Sequence, residues 1–191
     1  MTKLRRVITN MLTQTRIVQA TPSRKEIKVY DKSIFISETD MEGVLVYTNR
    51  RYQALTGFCE LELIGSSHKI VRHPDMPRGV FKAMWKIIKA KKIWRGYVKH
   101  LCKDGSFFWT LSYVQAKLDD ENNIIGYVST GKIAYAQSRT EVEEKYKELL
   151  GNTHIDNKYF MASESYYETQ VLNKDYLSEC TQEAVYLENK E

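Results

Sequence analysis

The chain has 191 residues, 42% of them hydrophobic and 12% aromatic, with a net charge of +5. This is ordinary globular material, enough for one domain with a proper core plus appendages, and it excludes a chain disordered throughout. No run approaches the roughly 18 apolar residues of a membrane span, no signal-peptide core follows Met1, and Cys59, Cys102 and Cys180 lack the spacing of a disulfide framework or a cysteine zinc site. The expected compartment is the cytoplasm, with any membrane association only indirect, through a partner.

Charge is unevenly placed. Residues 1–32 carry eight Lys/Arg against two acids, whereas residues 151–191 carry eight acids against three lysines. A nucleic-acid role would need a concentrated basic face with base-contacting elements, and no such motif is present, so none is expected.

At the N-terminus Leu4, Val7, Ile8, Met11, Leu12 and Ile17 recur at helical spacing with arginines between them. The pattern predicts an amphipathic helix over Leu4 to Ile17, with residues 1–32 a basic helix and linker. From Ser33 the period becomes that of strands: Ile34-Phe35-Ile36, then Gly43 to Thr48 across a turn at Thr39-Asp40-Met41-Glu42-Gly43. Asn49 introduces a short helix, Arg50 to Leu55, closed by Gly57, and Glu60 to Ile64 forms another closed by Gly65.

The next stretch, Ser67-His68-Lys69-Ile70-Val71-Arg72-His73-Pro74-Asp75-Met76-Pro77, gathers two histidines, cations and a carboxylate. Two prolines so close prevent a regular helix, since each lacks an N–H and restricts the residue before it, and the polar groups are held on an irregular turn. Two readings stand side by side: a small-molecule contact through Arg72 and His73, and a helix-capping loop in which Asp75 caps the helix beginning near Pro77.

That helix, about Arg78 to Lys91, has Val80, Phe81, Met84, Trp85, Ile87 and Ile88 on its apolar face. Three strands follow: Trp94 to Cys102, Ser106 to Leu118 after the turn Lys103-Asp104-Gly105, and Ile124 to Tyr135 after residues 119–123. Ala136 to Leu150 reads as a charged helix closed by Gly151, and the acidic, Tyr-rich tail, 151–191, as irregular or partly helical. The fold class is therefore α+β: a five-stranded antiparallel sheet with short helices and one longer helix over one face, plus flanking helices. A cavity between helices and sheet is the natural ligand site.

The order of elements, together with Gly43-Val44-Leu45-Val46-Tyr47-Thr48-Asn49, Leu55-Thr56-Gly57-Phe58, Glu62-Leu63-Ile64-Gly65, Arg72-His73-Pro74-Asp75-Met76-Pro77, Lys103-Asp104-Gly105-Ser106-Phe107-Phe108-Trp109 and Gly126-Tyr127, resembles a PAS domain. The run Arg72 to Pro77, followed by Phe81, Trp85 and Trp94, more narrowly resembles the PAS domain of bacterial aerotaxis (energy-taxis) receptors. The likeness covers about residues 33–150, with the sensor domain at 33–136 and a connecting helix at 137–150. It implies a sensor that binds FAD non-covalently and reports redox state to chemotaxis signalling proteins; a separate chemoreceptor-like partner and a homodimer are expected besides. The positions it implies for cofactor contact are Asn49, His68, Arg72, His73, Asp75, Trp85 and Trp94.

Each of these residues has suitable chemistry. Arg72 could offset phosphate charge or a reduced ring's anion, histidines can donate to phosphate or ring nitrogens, and Trp94 can stack on an aromatic ring system. For both tryptophans the competing role is core packing. Two positions depart from the family pattern: His100 and Tyr113 stand where that family usually has Asn. Their donor patterns differ from an amide's, which leaves heme b, with His73, His68 or His100 as axial ligand, and a cofactor-free interaction module as alternatives. The chain offers no nucleophile elbow, phosphate loop or zinc-binding helix, so an enzyme is not expected. Signalling is expected through the exposed sheet face and the N-terminal helix, and deletion of residues 1–20 is expected to alter assembly while sparing ligand occupancy.

Overall fold

The computed structural model describes residues 6–28, 34–134 and 136–150, with the backbone alone for 136–139. The tail read above as irregular or partly helical lies outside these residues. The main sheet is built from β3 (Ile34–Thr39), β4 (Leu45–Thr48), β5 (Trp94–Leu101), β6 (Phe107–Leu118) and β7 (Ile124–Ile133), in the order β4-β3-β7-β6-β5. Every pairing in it is antiparallel. Between β4 and β5 lie the helices α1 (Arg50–Thr56) and α2 (Glu60–Leu63), a 3-10 turn (His68–Val71) and α3 (Arg78–Lys89). The helix α4 (Ala136–Glu148) follows β7.

The N-terminal segment differs from its helical reading. It forms a hairpin, β1 (Val7–Thr9) against β2 (Arg16–Val18), with Ile8 opposite Ile17. The β-branched residues Val7, Ile8, Thr9, Ile17 and Val18 favour extended backbone. Asn10 decides the matter. Fully buried, its Oδ1 accepts the N–H groups of Leu12 at 2.9 Å and Thr13 at 3.0 Å, which turns the chain. Its Nδ2 donates to the carbonyls of Leu61 at 3.1 Å and Ile64 at 2.8 Å at the end of α2. Gly65, at a φ of +84°, lets this turn approach, because a Cβ there would lie 2.7 Å from both Asn10 Oδ1 and a Leu12 side-chain carbon.

The helices divide between the two sheet faces by the strand period of two. His100, Ser112 and Val114 face the layer that holds α3. Tyr97 and Trp109, one position out of phase, face α4: the Tyr146 hydroxyl donates to the Tyr97 carbonyl at 3.0 Å, and the Tyr146 ring lies 6.2 Å from Trp109.

The Arg72–Pro77 turn runs along the free edge of β5. Arg72 bridges to His100 in antiparallel register and the His73 N–H reaches the Lys99 carbonyl at 3.4 Å, so the turn covers the C-terminal end of an otherwise open sheet edge. Asp75 does not cap α3, whose N-cap position is Pro77 with no side-chain cap. Its Oδ2 instead meets Lys99 Nζ at 3.1 Å, and the same buried ammonium lies 3.7 Å from Glu143 on α4. Phe107, with its ring centroid 4.3 Å from Lys99 Nζ, completes the enclosure.

Replacing Asn10 by Ala strips the turn and the end of α2 of their shared partner, at an expected cost of about 2 kcal/mol. Amide hydrogen exchange should then speed up across 7–18 while the main sheet stays protected. Unchanged exchange in the hairpin would show that Asn10 does not hold it.

Candidate ligand site

A cavity of about 130 Å³ lies between α3 and the inner sheet face. Phe81, Met84, Trp85 and Ile88 of α3 form one wall, at positions three, four and seven residues apart that share a helix face. Trp94, Val98 and Val114 of the sheet form the other, and Ser37, His68, His100, Ser112 and Ser129 add a polar strip. Glu42, Lys69 and Arg72, which are exposed or half-buried, line it toward solvent.

Five of the nine residues expected at the site line this cavity: His68, Arg72, Trp85, Trp94 and His100. The other four do not, and each absence has a local cause. Asn49 is the N-cap of α1 and a clamp on β3; its Oδ1 accepts from Tyr52 N at 3.0 Å and Ile36 N at 3.2 Å, and its Nδ2 donates to the Ile34 carbonyl. Pairing of Arg72 with His100 turns Arg72 inward, so the next residue, His73, points to the opposite face, where its ring meets the edge of Phe107 at 5.7 Å. Asp75 follows it there and is held by Lys99. Tyr113 is paired with Thr130 and Arg95 on the α4 side of the sheet, and the inward position beside it is Ser112. Of the two departures from the family pattern, only His100 therefore touches the cavity.

Trp94 is fully buried with its indole folded over its own strand: a Cβ on Gly96 would lie 2.4 Å from the ring. Trp85 meets Tyr127 edge to face at 5.0 Å and approaches Gly43, at the turn between β3 and β4. Both tryptophans thus serve packing and cavity wall at once. The guanidinium of Arg72 sits 4.0 Å from the Phe81 ring centroid, and its buried Nε has no hydrogen-bond partner. Burial foremost, with the charges of Arg6 and Arg78 adding to it, lowers the Arg72 guanidinium to about 10.

The two cavity histidines are neutral at pH 7. Burial lowers His68 to about 4 and His100 to about 3, the second helped by the nearness of His68. His68 Nε2 contacts the Ser37 hydroxyl at 3.0 Å and the Tyr52 hydroxyl at 3.4 Å. His100 Nε2 contacts Thr110 Oγ1 at 2.9 Å, which in turn lies 2.7 Å from Ser112 Oγ, and the imidazole stacks on Phe108 at 4.8 Å. Ser37, Ser112 and Ser129 were missed by the motif reading. Their signal was a small hydroxyl-bearing residue at the inward phase of a strand.

A buried histidine kept neutral makes the unfolded chain the better proton acceptor below the ordinary histidine value near 6.5, so stability is greatest above that pH and falls as pH drops toward 4. For His100 the loss should reach about 2 kcal/mol by pH 5. Urea unfolding at pH 7 and pH 5 should show it, and a His100→Gln chain, which can still pair with Thr110, should lose less. Equal losses in the two chains would place the pH dependence elsewhere.

Residues 45–131 match the PAS fold family. Over 119 residues the chain is 33% identical to the aerotaxis receptor of Escherichia coli, covering 62% of this chain and 23% of that receptor. It is 25% identical over 80 residues to the nitrogen fixation regulatory protein of Klebsiella pneumoniae, covering 42% of this chain and 16% of that protein. The chain thus spans less than a quarter of the length of either relative. Among solved structures, a light-oxygen-voltage domain studied with a flavin analogue superposes with a TM-score of 0.51 at 20% identity, covering 61% of this chain and 88% of that one. The dark structure of the blue-light photoreceptor Aureochrome1 LOV does so with a TM-score of 0.51 at 23% identity, covering 61% and 86%; at these identities the likeness concerns the fold. The sheet order, the inward-facing cavity and these similarities agree on a PAS fold, with a sequence likeness to the aerotaxis receptor that extends over 119 residues.

Proposed function

We propose that this PAS domain is a flavin-binding redox sensor, with FAD as the cofactor, that signals through protein contacts to a chemoreceptor-like partner and catalyses no reaction of its own. The observation that carries the reading is the cavity itself, with apolar walls from α3 and the sheet, a polar strip of hydroxyls and neutral imidazoles, and a cation at the rim. An aromatic heterocycle with hydrogen-bonding edges suits that arrangement. The buried Nε of Arg72 is a donor still lacking an acceptor, which an anionic or carbonyl group of a ligand would supply.

The residues that would hold the ring are Trp85, Trp94, Val98 and Val114 by packing, and His68, His100 and Ser112 by hydrogen bonds. Bound flavin would supply a reversible redox couple. The chain's part is to exclude water, orient the ring and place neutral donors and acceptors along its edge. At about 130 Å³ the cavity is close in size to the roughly 150 Å³ that holds one benzene ring, so a three-ring ligand requires the half-buried Phe81 and Trp85 to give way.

Heme is less suited to these residues. His73 faces the other side of the sheet, and the Nε2 atoms of His68 and His100 are engaged by hydroxyl groups. No helix among the described residues is long and apolar enough to cross a membrane; cytoplasmic residence, with membrane contact through the partner, and a homodimeric state belong to the same proposal. The surfaces that would carry the signal are α4, tied through Lys99 to the turn that also bears Arg72, and the N-terminal hairpin.

Incubation of the purified chain with FAD, followed by gel filtration and a visible spectrum, should show stoichiometric flavin absorption. Gly96→Ala, which forces the Trp94 indole off its seat, should reduce occupancy at least tenfold with the melting profile still cooperative. A Soret band after growth with heme, or a colourless protein at saturating FAD, would overturn the reading.

A further inference from the structure

Arg72 lines the cavity, and two further arginines, Arg6 and Arg78, lie close to its mouth. Arg6, just before β1, donates from its guanidinium to the Lys69 carbonyl at 3.4 Å, and Lys69 itself lines the mouth. Arg72 lies against Phe81. Arg78, the first residue of α3, shares a helix face with Phe81 and Trp85, three and seven positions on, and both of those line the cavity. The three are near enough that their charges oppose one another: burial and Arg78 lower the Arg6 guanidinium, and burial, Arg6 and Arg78 lower that of Arg72.

Four lysines meet carboxylates: Lys25 with Asp104, Lys99 with Asp75, Lys103 with Glu62 and Lys117 with Glu38. Among the described residues none of these arginines has an ion-pair partner. Glu42, the acid that lines the same cavity, forms no ion pair with them. Like charges brought together at a partly buried rim oppose folding unless an anion joins them. Guanidinium groups are suited to phosphate because their forked donors match its oxygens. The first turn of the 12-residue α3, whose amides have no side-chain cap, adds its positive end at the same place.

We propose that Arg6, Arg72 and Arg78 form a phosphate-binding site at the cavity mouth, which makes the chain selective for a phosphorylated ring ligand and makes the N-terminal segment part of the ligand site. The ring half of this statement rests on the flavin reading above; the anion half does not. Adjacency of a phosphate cradle to an apolar slot describes one amphipathic ligand, a nucleotide whose ring enters and whose phosphates remain at the rim. It also revises the division of labour expected for residues 1–20. Gln19, buried after β2, donates to the carbonyls of Lys69 at 2.9 Å and Ile70 at 2.7 Å, so the hairpin braces the turn whose side chains line the cavity. Deletion of 1–20 should therefore reduce ligand occupancy.

Arg6→Ala is the informative variant, because the Gln19 N–H bonds the Arg6 backbone carbonyl and that bond survives the substitution. Full-length parent and variant would be titrated by calorimetry with FAD, FMN, riboflavin and inorganic diphosphate. The parent should bind FAD and FMN at least tenfold more tightly than riboflavin. The variant should lose about tenfold for the two nucleotides and for diphosphate, with riboflavin unaffected. Equal affinity of the parent for riboflavin and FAD would refute the site while leaving the flavin reading intact, as would an equal loss for all three flavins in the variant. Diphosphate binding that depends on Arg6, with no flavin bound, would uphold the site and remove the flavin reading. No binding of any of the four would remove both.

Discussion

The pairing of Arg72 with His100 along the edge of β5 is the contact on which the arrangement of the site depends. Antiparallel partners share a face, so this one bridge sends Arg72 toward the cavity and, by alternation, His73 away from it. Pro74 and Pro77 cannot extend the pairing, because neither has an N–H to donate, and the chain leaves the edge after a short step to begin α3. The same turn thus does three jobs. It covers the C-terminal end of an open sheet edge, supplies a cation to the cavity and sends Asp75 around to meet Lys99 on the far face.

That geometry joins the cavity to both flanking segments. Lys99 lies between Asp75 and Glu143, so the turn bearing Arg72 is connected through one buried ammonium to α4. On the other side Gln19 and Arg6 hold the carbonyls of the 3-10 turn from which His68 and Lys69 project. A change in how a ligand engages Arg72 or His68 therefore has a short physical route to each end of the domain. Both routes run through side chains pinned at their ends, Lys99 by two carboxylates and Gln19 and Arg6 by backbone carbonyls, which suits the transmission of small displacements.

Electrostatically the cavity is divided. Its interior holds imidazoles kept neutral by burial and hydroxyl groups already paired with them, whereas its mouth holds guanidiniums unanswered by carboxylates. A ligand that is uncharged at one end and anionic at the other matches this division.

Much of the fold was legible in the order of residues alone. The change of apolar period at Ser33, Asn49 and Gly57 bounding α1, the four-residue rhythm of Val80 to Ile88 and the three alternating strands after Trp94 each report a local preference, and each element formed within a few residues of its expected span. The residues carrying the family likeness, from Arg72 to Pro77 and on to Trp94, likewise announced a PAS domain. The hairpin was not legible, since Val7, Ile8, Met11 and Leu12 satisfy a helical stripe as well as a strand. What chose between them was the burial of Asn10 against α2, more than fifty positions away. The faces of His73, Asp75 and Tyr113 also lay beyond the sequence, because a residue's side is set by the register of pairing, and a shift of one position reverses it. Convergence of Arg6, Arg72 and Arg78 belongs to the tertiary structure in the same sense: three charges scattered over more than seventy positions become neighbours only when the hairpin docks on the turn.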